Sequence, residues 1–146
     1  MIKTFRGRLD DEEQEKIRLS TKKGKIGYKI VKFQMIGAEP GAKLTESTMK
    51  IFKVEQSTVN SIIDFSDGNL LAAGYWAGKD TSGNTDTIGP IIFEQEVFNQ
   101  DIFITHHDAA TGEACNYYLE LETSPLTDNA AAVSTLRDIR LNPAPE

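Results

Sequence analysis

Cysteine, histidine and tryptophan are scarce in this chain, with one Cys, two His and one Trp among 146 residues. The single cysteine, Cys115, cannot close a disulfide within the chain, so the fold must be held by packing. That suits a reducing compartment, or an assembly that does not rely on disulfides. A chain of this length can bury about 70% of its unfolded surface and needs neither disulfide nor metal to stand. The two histidines are neighbours, His106 and His107. With no third, a three-histidine zinc or iron site is excluded. No run approaches the roughly 20 apolar residues of a membrane span. The opening MIKTFRGRLDDEEQEK lacks the apolar stretch of a signal peptide. The expectation is a soluble chain made in the cytoplasm, with no membrane partner. Walker, Rossmann and nucleophile-elbow patterns are also missing, as is a basic-aromatic stripe for nucleic acid.

Net charge is −6, which argues against a nucleic-acid partner. Its distribution is uneven. Residues 1–60 hold 13 Lys and Arg against 8 Asp and Glu, a balance of +5. Residues 61–146 hold 3 against 14, a balance of −11. Either these are scattered solvated charges, or basic and acidic surfaces of neighbouring copies meet. Charge complementarity of the second kind sets register and orientation in an assembly.

Short apolar runs separated by turn residues fill the rest. IKTFRGRL, Ile2–Leu9, reads as a strand, and DDEEQE after it as a solvated turn or one helical turn. KIRLST reads as a short strand and KKGKIG as a tight turn. In the strand Tyr28–Ile36 the alternation changes phase: Tyr28 and Ile30 share one face, Val31, Phe33 and Met35 the other. A bulge near Ile30–Val31, or burial on both faces, explains that. TMKIFKVE is a further strand, with Met49 and Ile51 on one side and Phe52 and Val54 on the other. Val59, Ile62 and Ile63 have helical spacing, SDGN turns the chain, and LLAAGYWA is a buried strand with Gly74 where packing is close. The Gly-rich polar segment 77–90 is the longest loop. IIFEQEVF and QDIFITH are strands, the latter with Ile102, Ile104 and His106 on one face. In NYYLELE, Tyr117, Leu119 and Leu121 face one side and Tyr118, Glu120 and Glu122 the other. Residues 129–140 are a short helix or a last strand, and 141–146 a loose tail. About eight strands follow one another with little room for crossover helices, so the sheets must be antiparallel. The expected fold is a single all-β domain over 1–146, an antiparallel β-sandwich of jelly-roll type with a short C-terminal helix.

The stretch DIFITHHDAATGEAC, Asp101–Cys115, gathers both histidines, a carboxylate and the cysteine. On a strand His106 and His107 point to opposite faces and cannot share a metal. Cys115 has no second cysteine beside it for a metal site, and neither an elbow nor an oxyanion donor for nucleophilic chemistry. It reads as a small core residue. Asp80, Ser82, Asn84 and Asp86 alternate as calcium ligands often do, but the sixth and twelfth positions of such a loop hold Thr85 and Ile91 rather than Gly and Glu. Tyr75, Trp76, Tyr117 and Tyr118 are the aromatics a glycan site would need, yet Tyr75 and Trp76 sit in an apolar run and read as core. The residues thus predict no catalytic group, no metal and no cofactor, and a non-enzymatic protein.

Several phrases carry a resemblance: MIKTFRGRL, KIRLSTKKGKIGYKIVKFQMI, KIFKVEQSTV, FSDGNLLAAGYW, IIFEQEVFNQDIFITHHDA, NYYLELE and VSTLRDIR. Together, in this order, they resemble a group of small structural proteins of marine tailed bacteriophages. The resemblance implies a virion component, expected as a capsid decoration protein, with a tail or vertex component and a glycan- or receptor-binding β-module as alternatives. It implies self-association and contact with the major capsid protein or other virion proteins. It brings no functional residues with it. Residues 1–9 are expected to act as an assembly arm that adds to a neighbour's sheet edge, through Ile2, Phe5, Arg6 and Arg8.

Overall fold

A computed structural model describes residues 1–78 and 87–141, with side chains through residue 136. Among the described residues eight strands precede one helix: β1 Ile2–Leu9, β2 Glu13–Ile17, β3 Ile26–Gly37, β4 Thr45–Phe52, β5 Leu70–Gly78, β6 Thr87–Phe93, β7 Ile102–Asp108, β8 Cys115–Pro125 and α1 Asp128–Leu141. They form a three-stranded sheet in the order β1-β8-β3 and a five-stranded sheet in the order β2-β7-β4-β5-β6. Every pairing is antiparallel. This is the jelly-roll-like sandwich expected, in which early and late strands interleave in both sheets. After β6 the chain returns to the small sheet, where Phe98 and Tyr28 exchange backbone hydrogen bonds of 2.7 and 2.9 Å at the outer edge of β3.

Alternation dictates which side chains meet between the sheets. From β8 come Tyr117, Leu119 and Leu121, and from β7 Ile102, Ile104 and His106, all buried. The β3 register shifts between Ile30 and Lys32. That bulge puts Tyr28, Ile30, Phe33 and Met35 together on the core side and leaves Val31 half-buried. A Cβ on Gly74 would lie 2.7 Å from Met35 Sδ, so this position has to be glycine for the two sheets to approach.

Six expectations need correction. DDEEQE is neither all turn nor a helical turn, because Asp10 O accepts a hydrogen bond from Glu13 N and β2 starts at Glu13. The KIRLST strand is displaced accordingly: β2 ends at Ile17, and Asp101 takes the N–H groups of Leu19 and Ser20 instead. Val54 lies beyond β4. IIFEQEVF is not one strand, since β6 spans Thr87–Phe93 with Pro90 inside it. An edge strand tolerates a residue without an N–H. No helix forms around Val59–Ile63, and Tyr75 sits half-buried on the outer face rather than in the core. Residues 129–140 belong to helix α1, with Ala131 and Ser134 turned to the body. The 77–90 loop contracts to what lies between Gly78 and Thr87, and it falls outside the described residues, as does the tail after Leu141.

Candidate functional site

The stretch that gathers the scarce residues is built around Asp108, the last residue of β7. Its Oδ1 accepts hydrogen bonds from the N–H of Glu46 and Ala110 at 2.9 Å, and its Oδ2 from Glu113 N at 2.7 Å. Burial works to raise its pKa, but these N–H groups outweigh it and hold the carboxyl below the usual range. Asp108 therefore closes the turn between β7 and β8. Cys115, the next buried group, has no exposed surface. Burial pushes its thiol up to about 12, and the Asp108 carboxylate adds to the effect. A thiolate nucleophile needs the opposite environment.

The two histidines part as strand geometry requires. His106 is fully buried, its Nδ1–H donates to Asp10 O at 3.0 Å, and its Nε2 has no hydrogen-bond partner among the described residues. His107 faces outward, with Nδ1 3.5 Å from Asp11 Oδ1 and 3.9 Å from Glu12 Oε1. Asp11, Glu12 and His107 each bring one ligand-type atom within 4.8 Å of the others. One imidazole and two carboxylates match a divalent-cation donor set in composition. Asp11 Oδ1 is already occupied by Asp108 N–H at 2.7 Å. This grouping was missed in the sequence because its members are some 95 positions apart and meet only through β2–β7 pairing. Cys115, the partner weighed for the histidines, is not among them. The calcium-type positions Asp80, Ser82, Asn84 and Asp86 lie outside the described residues.

A second region emerges on the outer face of the five-stranded sheet. The segment joining β4 to β5, residues 53–69, is tied to this face from two strands. Gln14 of β2 exchanges hydrogen bonds with Gln56, and Lys50 Nζ donates to Asn60 Oδ1 at 3.0 Å and to Ile62 O at 2.6 Å. Burial lowers the Lys50 pKa, and nearby Asp67 opposes that. Above this anchor Ile62 and Phe65 stand 69% and 65% exposed, with Ile63 and Ile92 also exposed. Beside Phe65 is a crevice of about 200 Å³ walled by Leu70, Leu71 and Ile92 and edged by Asp67 and Glu94. Phe65 and Ile92 thus stand exposed together at one crevice beside Asp67 and Glu94. The run SIIDF was the available signal, and its helical spacing pointed elsewhere.

The expected arm is a built strand. All of β1 pairs with β8, from Ile2 opposite Glu122 to Leu9 opposite Cys115. Ile2, Arg6 and Arg8 are exposed on it, whereas Phe5 packs against the core from the inner face. Between β1 and β2 the sheets stay open along a cleft of about 470 Å³. Half-buried Phe5 and the buried Ile17 and Tyr117 lie at its base, Tyr117 OH donating to Glu15 at 2.9 Å, and Arg6, Glu15, Lys16 and Arg18 stand along it. Trp76 and Tyr117 are buried and cannot offer a stacking face to a sugar. No protein-family model matches this chain, and no curated protein matches it.

Proposed function

We propose that this chain is a non-enzymatic structural component of a tailed-phage virion, seated on the capsid exterior as a decoration protein in contact with its own copies and with the major capsid protein. The observation that carries this reading is the inversion of roles on the molecule. Side chains of reactive type at Asp108, His106 and Cys115 are enclosed by hydrogen bonds and packing, while Ile62, Phe65 and Ile92 stand in solvent beside acidic groups. Surfaces of that kind gain by being covered. The resemblance of almost the whole chain to phage structural proteins supplies the setting. The test is a quantitative protein inventory of purified particles. A count near one copy per major capsid protein, or a simple fraction of it, is the expected result. A handful per particle moves the chain to the tail or a vertex, and absence from the particle overturns the reading.

A further inference from the structure

We propose that Asp11, Glu12 and His107 form a binding site for a divalent metal ion of the zinc type, which clamps the turn between β1 and β2 onto strand β7. The proposal goes beyond the virion reading and draws nothing from it. The three residues meet because that turn folds back over β7. Asp10 O accepts hydrogen bonds from Glu13 N at 3.2 Å and from His106 Nδ1–H at 3.0 Å, and Asp11 Oδ1 accepts one from Asp108 N at 2.7 Å. The Glu13 carboxylate closes the turn by accepting from Asp10 N at 2.6 Å. A backbone tied in this way has little freedom left to lose on binding. His106 takes no part, because its ring is enclosed in the core.

The observation that points to an ion is His107 Nδ1. It is shielded from solvent and has no hydrogen-bond partner among the described residues. Asp11 Oδ1 stands 3.5 Å from it and Glu12 Oε1 3.9 Å, and the three residues each bring one donor atom within 4.8 Å of the others. Those separations exceed the roughly 2.7–3.2 Å of an N–H···O hydrogen bond. They approach the edge of a coordination shell, since donors about 2.0–2.2 Å from a tetrahedral zinc stand about 3.4 Å apart. An ion between them gives the shielded nitrogen the partner it lacks and neutralises two adjacent carboxylates. Imidazole with carboxylates suits zinc rather than calcium, which takes oxygen ligands. The Asp108 N–H uses one lone pair of the Asp11 carboxylate and orients it, and the others are left for the metal. Three protein ligands leave the fourth position to water. Two ligands come from the turn and one from β7, so the ion straps the crossing from the smaller sheet to the larger one onto β7.

The site is tested by titrating full-length, chelator-treated protein with zinc chloride, reading the binding isotherm, the thermal midpoint and the histidine ring signals in NMR. A single ion per chain is expected, and the midpoint should rise by about 5 °C at a hundredfold excess over Kd. The ring signals of His107 should shift or broaden far more than those of His106. Glu12 is exposed, so Glu12→Gln keeps the fold and should weaken zinc binding by about tenfold or more. His107→Gln should remove the rise in midpoint altogether. No binding at millimolar zinc overturns the site. Binding that either substitution leaves unchanged, or that moves the His106 ring and not that of His107, overturns it equally. The particle inventory reads out separately, so the virion reading and the metal site can each fail without the other.

Discussion

The turn after β7 and the connection between β4 and β5 treat their side chains in opposite ways. In the turn, Asp108 points inward and satisfies the N–H groups of Glu46, Ala110 and Glu113, with Cys115 sealed behind it. In the connection, Ile62 and Phe65 point outward, although burying each would gain about 2 kcal/mol. Polar groups are enclosed where the backbone around them needs acceptors. Apolar groups are left outside where the backbone carrying them is tied down by polar anchors. Residue type alone therefore misassigns both regions, making the first a reactive centre and the second part of the core.

The strongest way to break the comparison is Asp108→Ala. It strips acceptors from three N–H groups and should cost about 3 kcal/mol in chemical denaturation. The pH dependence follows from the lowered carboxyl of Asp108. Because its folded-state pKa is depressed, its contribution is complete above the unfolded value of about 3.9 and is lost as pH falls through the folded one. The alanine variant should lose that part of the acid limb. A cost under about 0.5 kcal/mol would return the turn to the list of candidate reactive sites.

Cys115→Ser places a hydroxyl at a position with no exposed surface and should cost about 1 kcal/mol. In the unaltered protein, a thiol reagent should modify Cys115 no faster than the chain opens, since the thiolate is suppressed by a pKa of about 12. Rapid labelling of the folded protein would contradict the enclosed reading.

Lys50→Met sharpens the other half. Loss of the hydrogen bonds to Asn60 and Ile62 is offset by relief of a partly desolvated cation, so global stability should move by less than about 1 kcal/mol. Amide exchange across residues 60–65 should nonetheless accelerate, because the anchor is gone. Unchanged exchange would mean that the connection holds itself without the sheet.

Phe65→Ser should have the smallest effect on folding, within about 0.5 kcal/mol, because the ring is 65% exposed. A loss of 2 kcal/mol or more would show that Phe65 is core after all and remove the exposed surface on which the functional reading rests.

Much of the sandwich was legible. The alternation set Tyr117, Leu119 and Leu121 on one face of β8, which is the inner one, and the change of phase at Ile30–Val31 left a bulge or burial on both faces open, of which β3 contains the bulge. Gly74 was read as a close approach, and Met35 is the side chain that requires it. These features follow from neighbours along the chain. The helical spacing of Val59, Ile62 and Ile63 misled for a reason also visible locally. Asn60 Oδ1 accepts Ile62 N–H and Asp64 Oδ1 accepts Ser66 N–H, so short side-chain turns compete with the helix. The start of β2 was missed because polar EQE has no apolar alternation, and its pairing with β7 supplies the order.

By itself, the sequence determined an antiparallel sandwich, the shared faces of β7 and β8 and the burial of its lone cysteine, because period-2 patterning acts residue by residue. Only the tertiary structure decided that β1 and β2 leave a cleft lined by Arg6, Glu15, Lys16 and Arg18 while Phe65 stands clear on the outer face of the larger sheet. It also decided that His107 meets Asp11 and Glu12, and that Lys50 holds the backbone beneath Ile62. Each of those joins groups far apart in the chain, and strand order between sheets is set by the packing of whole faces rather than by any local pattern.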